Sequence, residues 1–128
     1  MIAKVVDASV FAALSFQEAG ADRMRKSLSG FELHAPRLLR FEMANVCLKK
    51  IRLYPDRRAE LAEMHARSLA VVILEHAVDQ VQILDIAQTL RLSAYDASYL
   101  WLACALGCEL VTLDEKLAKA FIKMERQQ

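Results

Sequence analysis

The stretch Ile2–Val10, IAKVVDASV, decides how the rest of the chain is read. A short apolar run of Ile2, Ala3, Val5 and Val6 stops at a carboxylate, Asp7, and Ser9 then opens a helical pattern. A buried strand that ends in an acid is the expectation, and open α/β sheets place their sites at the carboxyl ends of such strands. Working outward, Ser9–Phe16 and Glu18–Leu28 read as two short helices parted around Glu18–Gly20, with Ser29-Gly30 as the stop. Phe31–Ala35 is a short strand candidate closed by Pro36. Arg37–Arg52 follows as a long helix, with Leu38, Phe41, Ala44, Leu48 and Ile51 at helical spacing. Pro55-Asp56 begins a helix running to about Leu69 through Leu61 and Met64. The run Val71-Val72-Ile73-Leu74 has the character of a strand covered on both faces.

Val78–Leu90 returns to helical periodicity through Val78, Val81, Leu84 and Ala87. Ser93 caps the next helix, with Asp96 three residues on in a capping-box arrangement, and Gly107 ends it after Tyr99, Leu100, Ala103 and Leu106. Glu109–Thr112 is a last strand, Asp114 starts a helix over Glu115–Met124, and the tail Glu125–Gln128 is expected to fray. Strands alternating with helices imply crossover connections and a mainly parallel sheet. The expectation is an α/β fold in one three-layer domain over residues 1–128, without repeat or linker.

Composition narrows the class. With 128 residues, 55% apolar content and apolar runs of only a few residues, the chain can bury a core but lacks the run of about 20 that crosses a bilayer. Lys4 and Asp7 break up the N-terminal apolar run, so it is not expected to be a signal peptide, and no membrane partner is expected. Three cysteines without a leader suggest the reducing cytoplasm, with Cys47, Cys104 and Cys108 as small core residues. His34, His65 and His76 form no ligand motif. A net charge of +1 does not announce a nucleic-acid binder. Basic residues nevertheless cluster at Arg23, Arg25 and Lys26, at Arg37 and Arg40, at Lys49, Lys50 and Arg52, and at Arg57 and Arg58. Acids gathered in one place would leave the remaining surface basic.

Four carboxylates are candidates for chemistry: Asp7, Glu42, Asp96 and Asp114. Each has a structural alternative. Asp7 can satisfy amides at a helix start, Asp96 suits a helix dipole, and Asp114 suits an N-cap. Glu42 caps nothing, although it can be solvated with Lys49 on its side of the helix. Asp7 and Asp114 both follow strand ends, which share one edge in a parallel sheet, and Asp96 opens the helix feeding the last strand. Four acids in one cleft repel and raise each other's pKa unless a cation neutralises them. An all-oxygen donor set favours Mg²⁺ or Mn²⁺, and such sites serve phosphate chemistry.

VVDASV, LLRFEMANV, SAYDASYLWLA and LVTLDEKL together resemble the four signature blocks of the PIN domain, over essentially the whole chain. In particular the chain is similar to the small prokaryotic PIN-domain ribonuclease toxins of the VapC type. The resemblance implies a parallel sheet flanked by helices, with Asp7, Glu42, Asp96 and Asp114 as an acidic quartet holding Mg²⁺ or Mn²⁺. By the same resemblance Ser9, Asn45 and Thr112 support the site. It implies endonucleolytic cleavage of RNA, often tRNA or rRNA, that inhibits translation. A homodimer and a cognate antitoxin covering the active site are implied as well.

Asp7, Asp96 and Asp114 are thus expected to hold the metal, and Glu42 to complete the shell or take the proton of an attacking water. Arg37, Arg40, Lys49 and Lys50 are candidates for steering RNA phosphates, and Tyr95 and Trp101 for stacking on a base. A metal-dependent phosphatase or phosphoacceptor protein fits less well. The haloacid type wants a second Asp where Ser9 stands, and a receiver wants a second acid beside Asp7. A non-catalytic PIN-fold module that binds a partner is the other alternative.

Overall fold

The computed structural model describes residues 2–127. Four short strands, β1 (Ala3–Val6), β2 (Glu32–Pro36), β3 (Leu74–His76) and β4 (Glu109–Val111), lie in the order β3-β2-β1-β4, every pair parallel. Parallel neighbours need crossovers, and six helices supply them: α1 (Ala8–Ser15), α2 (Ala21–Leu28), α3 (Leu38–Leu53), α4 (Arg58–Ser68), α5 (Gln80–Leu90) and α6 (Ala94–Leu106), while α7 (Glu115–Gln127) follows the last strand. A short 3-10 turn, Pro55–Arg57, precedes α4.

Alternation along β1 sets the layers, because successive strand residues point to opposite faces. Val5 and its β4 neighbour Leu110 join the larger core with Phe11, Leu39, Tyr99, Leu100 and Ala103. Val6 and its neighbour Val111 turn the other way, onto Val10, Met24 and Leu28 of α1 and α2. Lys4 interrupts the run without breaking the strand. Its ammonium donates to the Ser27 carbonyl at 2.9 Å, lies 3.5 Å from a Glu109 carboxylate oxygen and sits over the Phe31 ring.

Helix ends follow local chemistry. The Ser93 hydroxyl accepts from the Asp96 amide at 3.0 Å, and Gly107, at φ +64°, closes α6 in the left-handed region that glycine tolerates. Cys47 is buried, while Cys104 and Cys108 are half-buried at the far end of α6. No helix is long and apolar enough to cross a membrane among the described residues.

Four readings change. The strand expected at Val71–Leu74 is instead β3 at the sheet edge, with Ile73 buried and Val72 80% exposed. An edge strand needs little cover, so the β-branched run serves mainly as the turn leading in. On α3 the buried residues are Leu39, Met43 and Cys47, whereas Phe41, on the expected inner face, is 79% exposed. On α5 only Ile83 is buried, and Val81 is 81% exposed. Both helices have a second apolar stripe, and periodicity cannot say which one meets the sheet. Finally, α7 continues to Gln127 rather than fraying from Glu125; the last residue of that tail, like the first of the chain, lies outside the described residues.

Candidate active site

Chain order runs from β1 through β2 to β3 on one side, then returns to place β4 on the other. The crevice between β1 and β4 is therefore the topological switch point, where open parallel sheets bind ligands beyond their carboxyl ends. Asp7 follows β1 there, and Thr112 and Asp114 follow β4.

Asp7 is 5% exposed, and three donors hold its carboxylate. Its Oδ1 accepts from the Ser9 hydroxyl at 2.7 Å and from the Val10 amide at 3.2 Å, which caps α1. Its Oδ2 accepts from the Thr112 hydroxyl at 2.5 Å. Thr112 Oγ1 in turn accepts from the Asp114 amide at 3.0 Å, and Ser9 Oγ accepts from the Leu113 amide at 2.9 Å. The two hydroxyls thus stitch the β1–α1 corner to the loop after β4. Burial pushes the Asp7 carboxyl up, its three hydrogen bonds pull it back, and Asp114 adds repulsion.

The other acids arrive from separate helices. Glu42 is half-buried in the first half of α3, and the Tyr99 hydroxyl donates to its Oε1 at 2.6 Å. Its pKa is raised by burial, opposed by that bond, and raised further by Asp96 and Asp7. Tyr99, itself pushed up by burial and by Glu42, stays a neutral donor. Asp96 takes the Ser93 cap at its amide, but its carboxylate makes no reciprocal bond to Ser93. That leaves the group facing the other acids, where burial first, then Asp114 and Asp7, raise its pKa against the pull of Lys116. Asp114 does cap α7, its Oδ1 accepting from the Lys116 and Leu117 amides at 2.9 and 3.2 Å. Capping and site geometry therefore coincide at Asp7 and Asp114.

The four candidate acids come together. Of the supporting candidates, Ser9 and Thr112 join them, while Asn45, one turn after Glu42, is exposed and bonded to none of them. The basic candidates divide. Arg40 is engaged elsewhere, donating to the Ser68 and Val71 carbonyls at 3.2 and 3.0 Å, which ties α3 to the end of α4. Lys50 pairs with Glu18 at 2.5 Å. Arg37 and Lys49 remain exposed. Trp101 donates to Gln82 at 2.5 Å, whereas Tyr95 stays exposed.

Sequence reading missed Tyr99 and Lys116. A tyrosine on the buried face of a helix needs a polar partner, and a lysine in a first turn opposes the helix dipole; both signals were present. The pairing of His34 Nδ1 with His76 Nε2 at 2.7 Å across β2 and β3 was missed as well.

Among the described residues, no three acid, histidine or cysteine side chains already close into a cage around one point. The donor set still suits a hard cation: carboxylate oxygens only, with three of the four pKa values raised by burial first and by the neighbouring acids after it. Mg²⁺ keeps several waters and needs only one or two direct carboxylates.

A family model for the PIN domain matches residues 4–122. Ribonuclease VapC3 of Pyrobaculum aerophilum is 33% identical over 122 residues, covering 91% of this chain and 93% of that protein. The crystal structure of PAE2754 from Pyrobaculum aerophilum superposes with a TM-score of 0.73 at 25% identity, covering 98% of this chain and 96% of that one. The toxin VapC20 of Mycobacterium tuberculosis, which cleaves the sarcin–ricin loop, shares the fold at a TM-score of 0.64 and 16% identity, over 91% of this chain and 94% of its own.

Proposed function

The chain belongs to the PIN-domain family, among its VapC-type members, and from that premise we propose that it is a Mg²⁺- or Mn²⁺-dependent endoribonuclease. The observation that supports this most is the meeting of Asp7, Glu42, Asp96 and Asp114, from four separate stretches, at the switch point of a parallel sheet. Asp7, Asp96 and Asp114 would hold the cation directly or through water. When bound, it would neutralise charge on a phosphoryl oxygen and make an attacking water more acidic.

The protein's own groups do the rest. Ser9 and Thr112 hold the Asp7 carboxylate in one orientation. A carboxylate has about four lone-pair sites; three donors leave Asp7 room for one further bond, which suits a ligand better than a phosphate-accepting nucleophile. Tyr99 pins Oε1 of Glu42. Oε2 is left to complete the cation's shell or to take the proton of the attacking water, and a raised pKa favours the latter.

The reading extends to partners. The substrate is RNA, tRNA or rRNA in keeping with the family, and its cleavage would inhibit translation in the cytoplasm. A cognate antitoxin would cover the acids, and a second copy would cover the exposed apolar side chains of α3 and α5, Phe41 and Val81 among them.

The deciding experiment is cleavage of total RNA by purified, antitoxin-free protein in EDTA, Mg²⁺ or Mn²⁺, beside Asp7→Asn. Metal-dependent cutting at discrete sites that vanishes in the variant is expected. No cutting of any RNA by metal-loaded protein would favour the non-catalytic module instead.

A further inference from the structure

Helix α7 begins at the acids and carries a stripe of cations away from them. Lys116, Lys119, Lys123 and Arg126 recur at spacings of three, four and three, which places them on one helix face. The stripe starts at the site itself, since the Lys116 amide caps onto Asp114 and its ammonium donates to the Arg91 carbonyl at 2.8 Å. Arg91 and Lys116 line one groove with Lys119 and Lys123, and the latter two line the next groove with Arg126. From Lys116 to Arg126 the helix rises about 15 Å, long enough to follow several phosphates.

Among the described residues no salt bridge compensates this stripe, although Lys116 is drawn toward Asp96 across the site. Elsewhere several basic side chains have acidic partners: Arg25 with Asp22, Lys50 with Glu18, Arg57 with Glu60, Arg67 with Glu63. On α7 neither Glu115 nor Glu125 ion-pairs with the stripe among the described residues, although Glu115 lies four residues before Lys119. Like charges at these spacings destabilise a helix, and Lys116 also opposes the helix dipole. A chain of net charge +1 therefore bears a local repulsion that a polyanion would relieve. Among the described residues, only Ile122 adds a large exposed apolar side chain beside the stripe, too little for the apolar anchor of a protein interface.

We propose that Arg91, Lys116, Lys119, Lys123 and Arg126 form a phosphate track that carries an RNA strand from the four acids along α7. The track rests on the nuclease reading for its direction and its substrate. It touches backbone only, so it supplies affinity and register rather than sequence choice.

The test measures binding of a labelled mixed-sequence single-stranded RNA to metal-free protein across a salt series, and so does not depend on cleavage. The triple variant Lys119→Gln, Lys123→Gln, Arg126→Gln alters only side chains at the surface of α7. It should weaken binding about tenfold or more and lower the slope of log K against log salt by about 2, at about 0.7 for each phosphate no longer neutralised. Arg23→Gln, Lys26→Gln, Arg58→Gln removes the same charge from α2 and α4 and should change neither. An unchanged slope in the first variant, or an equal loss in the second, overturns the track. So does unaltered RNA binding together with abolished binding of a polyglutamate peptide, which would mark an acidic protein's docking face. RNA bound with the expected slope but never cut by metal-loaded protein would overturn the nuclease reading and leave the track standing.

Discussion

Thr112 shows how much one hydroxyl can hold. It donates to Asp7 at 2.5 Å and accepts from the Asp114 amide at 3.0 Å, so it links two acids from opposite ends of the chain. Thr112→Val keeps the shape and removes both bonds. A hydrogen bond to a charged group is worth about 1.5–3 kcal/mol, and a loss of that order is expected in denaturant unfolding. The bond also holds the Asp7 carboxyl down against burial. Its removal should move the acid limb of the cleavage pH profile to higher pH, and Thr112→Ser should restore it. Roles at this scale were partly legible. Asp7, Asp96 and Asp114 stood out by position after strands or at helix starts. Tyr99 did not, because a core tyrosine and a carboxylate clamp look alike until the partner, Glu42, is in place.

At the scale of elements, β3 is held to β2 by more than its backbone ladder. His34, buried in β2, shares a hydrogen bond with His76 in β3 and another, at 2.7 Å, with Glu32. The His34–His76 bond needs one nitrogen without a proton, so charging both rings breaks it. Burial, and then His34, lower the His76 pKa. The unfolded chain therefore takes the proton more readily, and this contribution, present above about 6.5, is lost as pH falls through the lowered folded value. Urea unfolding between pH 7.5 and 5 should show that loss in the wild type and a smaller one in His76→Gln. A parallel response in both proteins would assign the loss elsewhere. Strand and helix order was readable because each element carries its own period and stop signals. The inner faces of α3 and α5 were not, because two apolar stripes on one helix satisfy the same period.

For the whole molecule, the gathered acids store repulsion. Asp7, Glu42 and Asp96 all have raised pKa values, with burial first and the other acids adding to it. The folded state holds their protons more tightly than the unfolded chain does. Metal-free stability should therefore fall as pH rises from about 4, the ordinary carboxylate range, through the raised values. Asp96→Asn should flatten that fall and be at least as stable as wild type in EDTA. Adding Mn²⁺ should raise the melting temperature of the wild type, by about 2.7 kcal/mol of stability at a hundredfold excess over Kd, and leave the variant unmoved. Thermal melts with and without the ion check both, and a variant less stable in EDTA would mean that Asp96 serves its helix first.

The amino-acid sequence by itself determined the alternation of strands and helices, the parallel sheet that alternation requires, and the acids at strand ends and helix starts. These are local properties, written in periodicity, capping residues and turn residues within a few positions of each other. Only the tertiary structure decided which stripe of α3 faces inward, that Tyr99 holds Glu42, that Arg40 and Lys50 are engaged elsewhere, and that α7 carries its cations away from the acids. Each of those depends on groups far apart in the chain, and their distance and dielectric surroundings exist only once the helices are packed on the sheet.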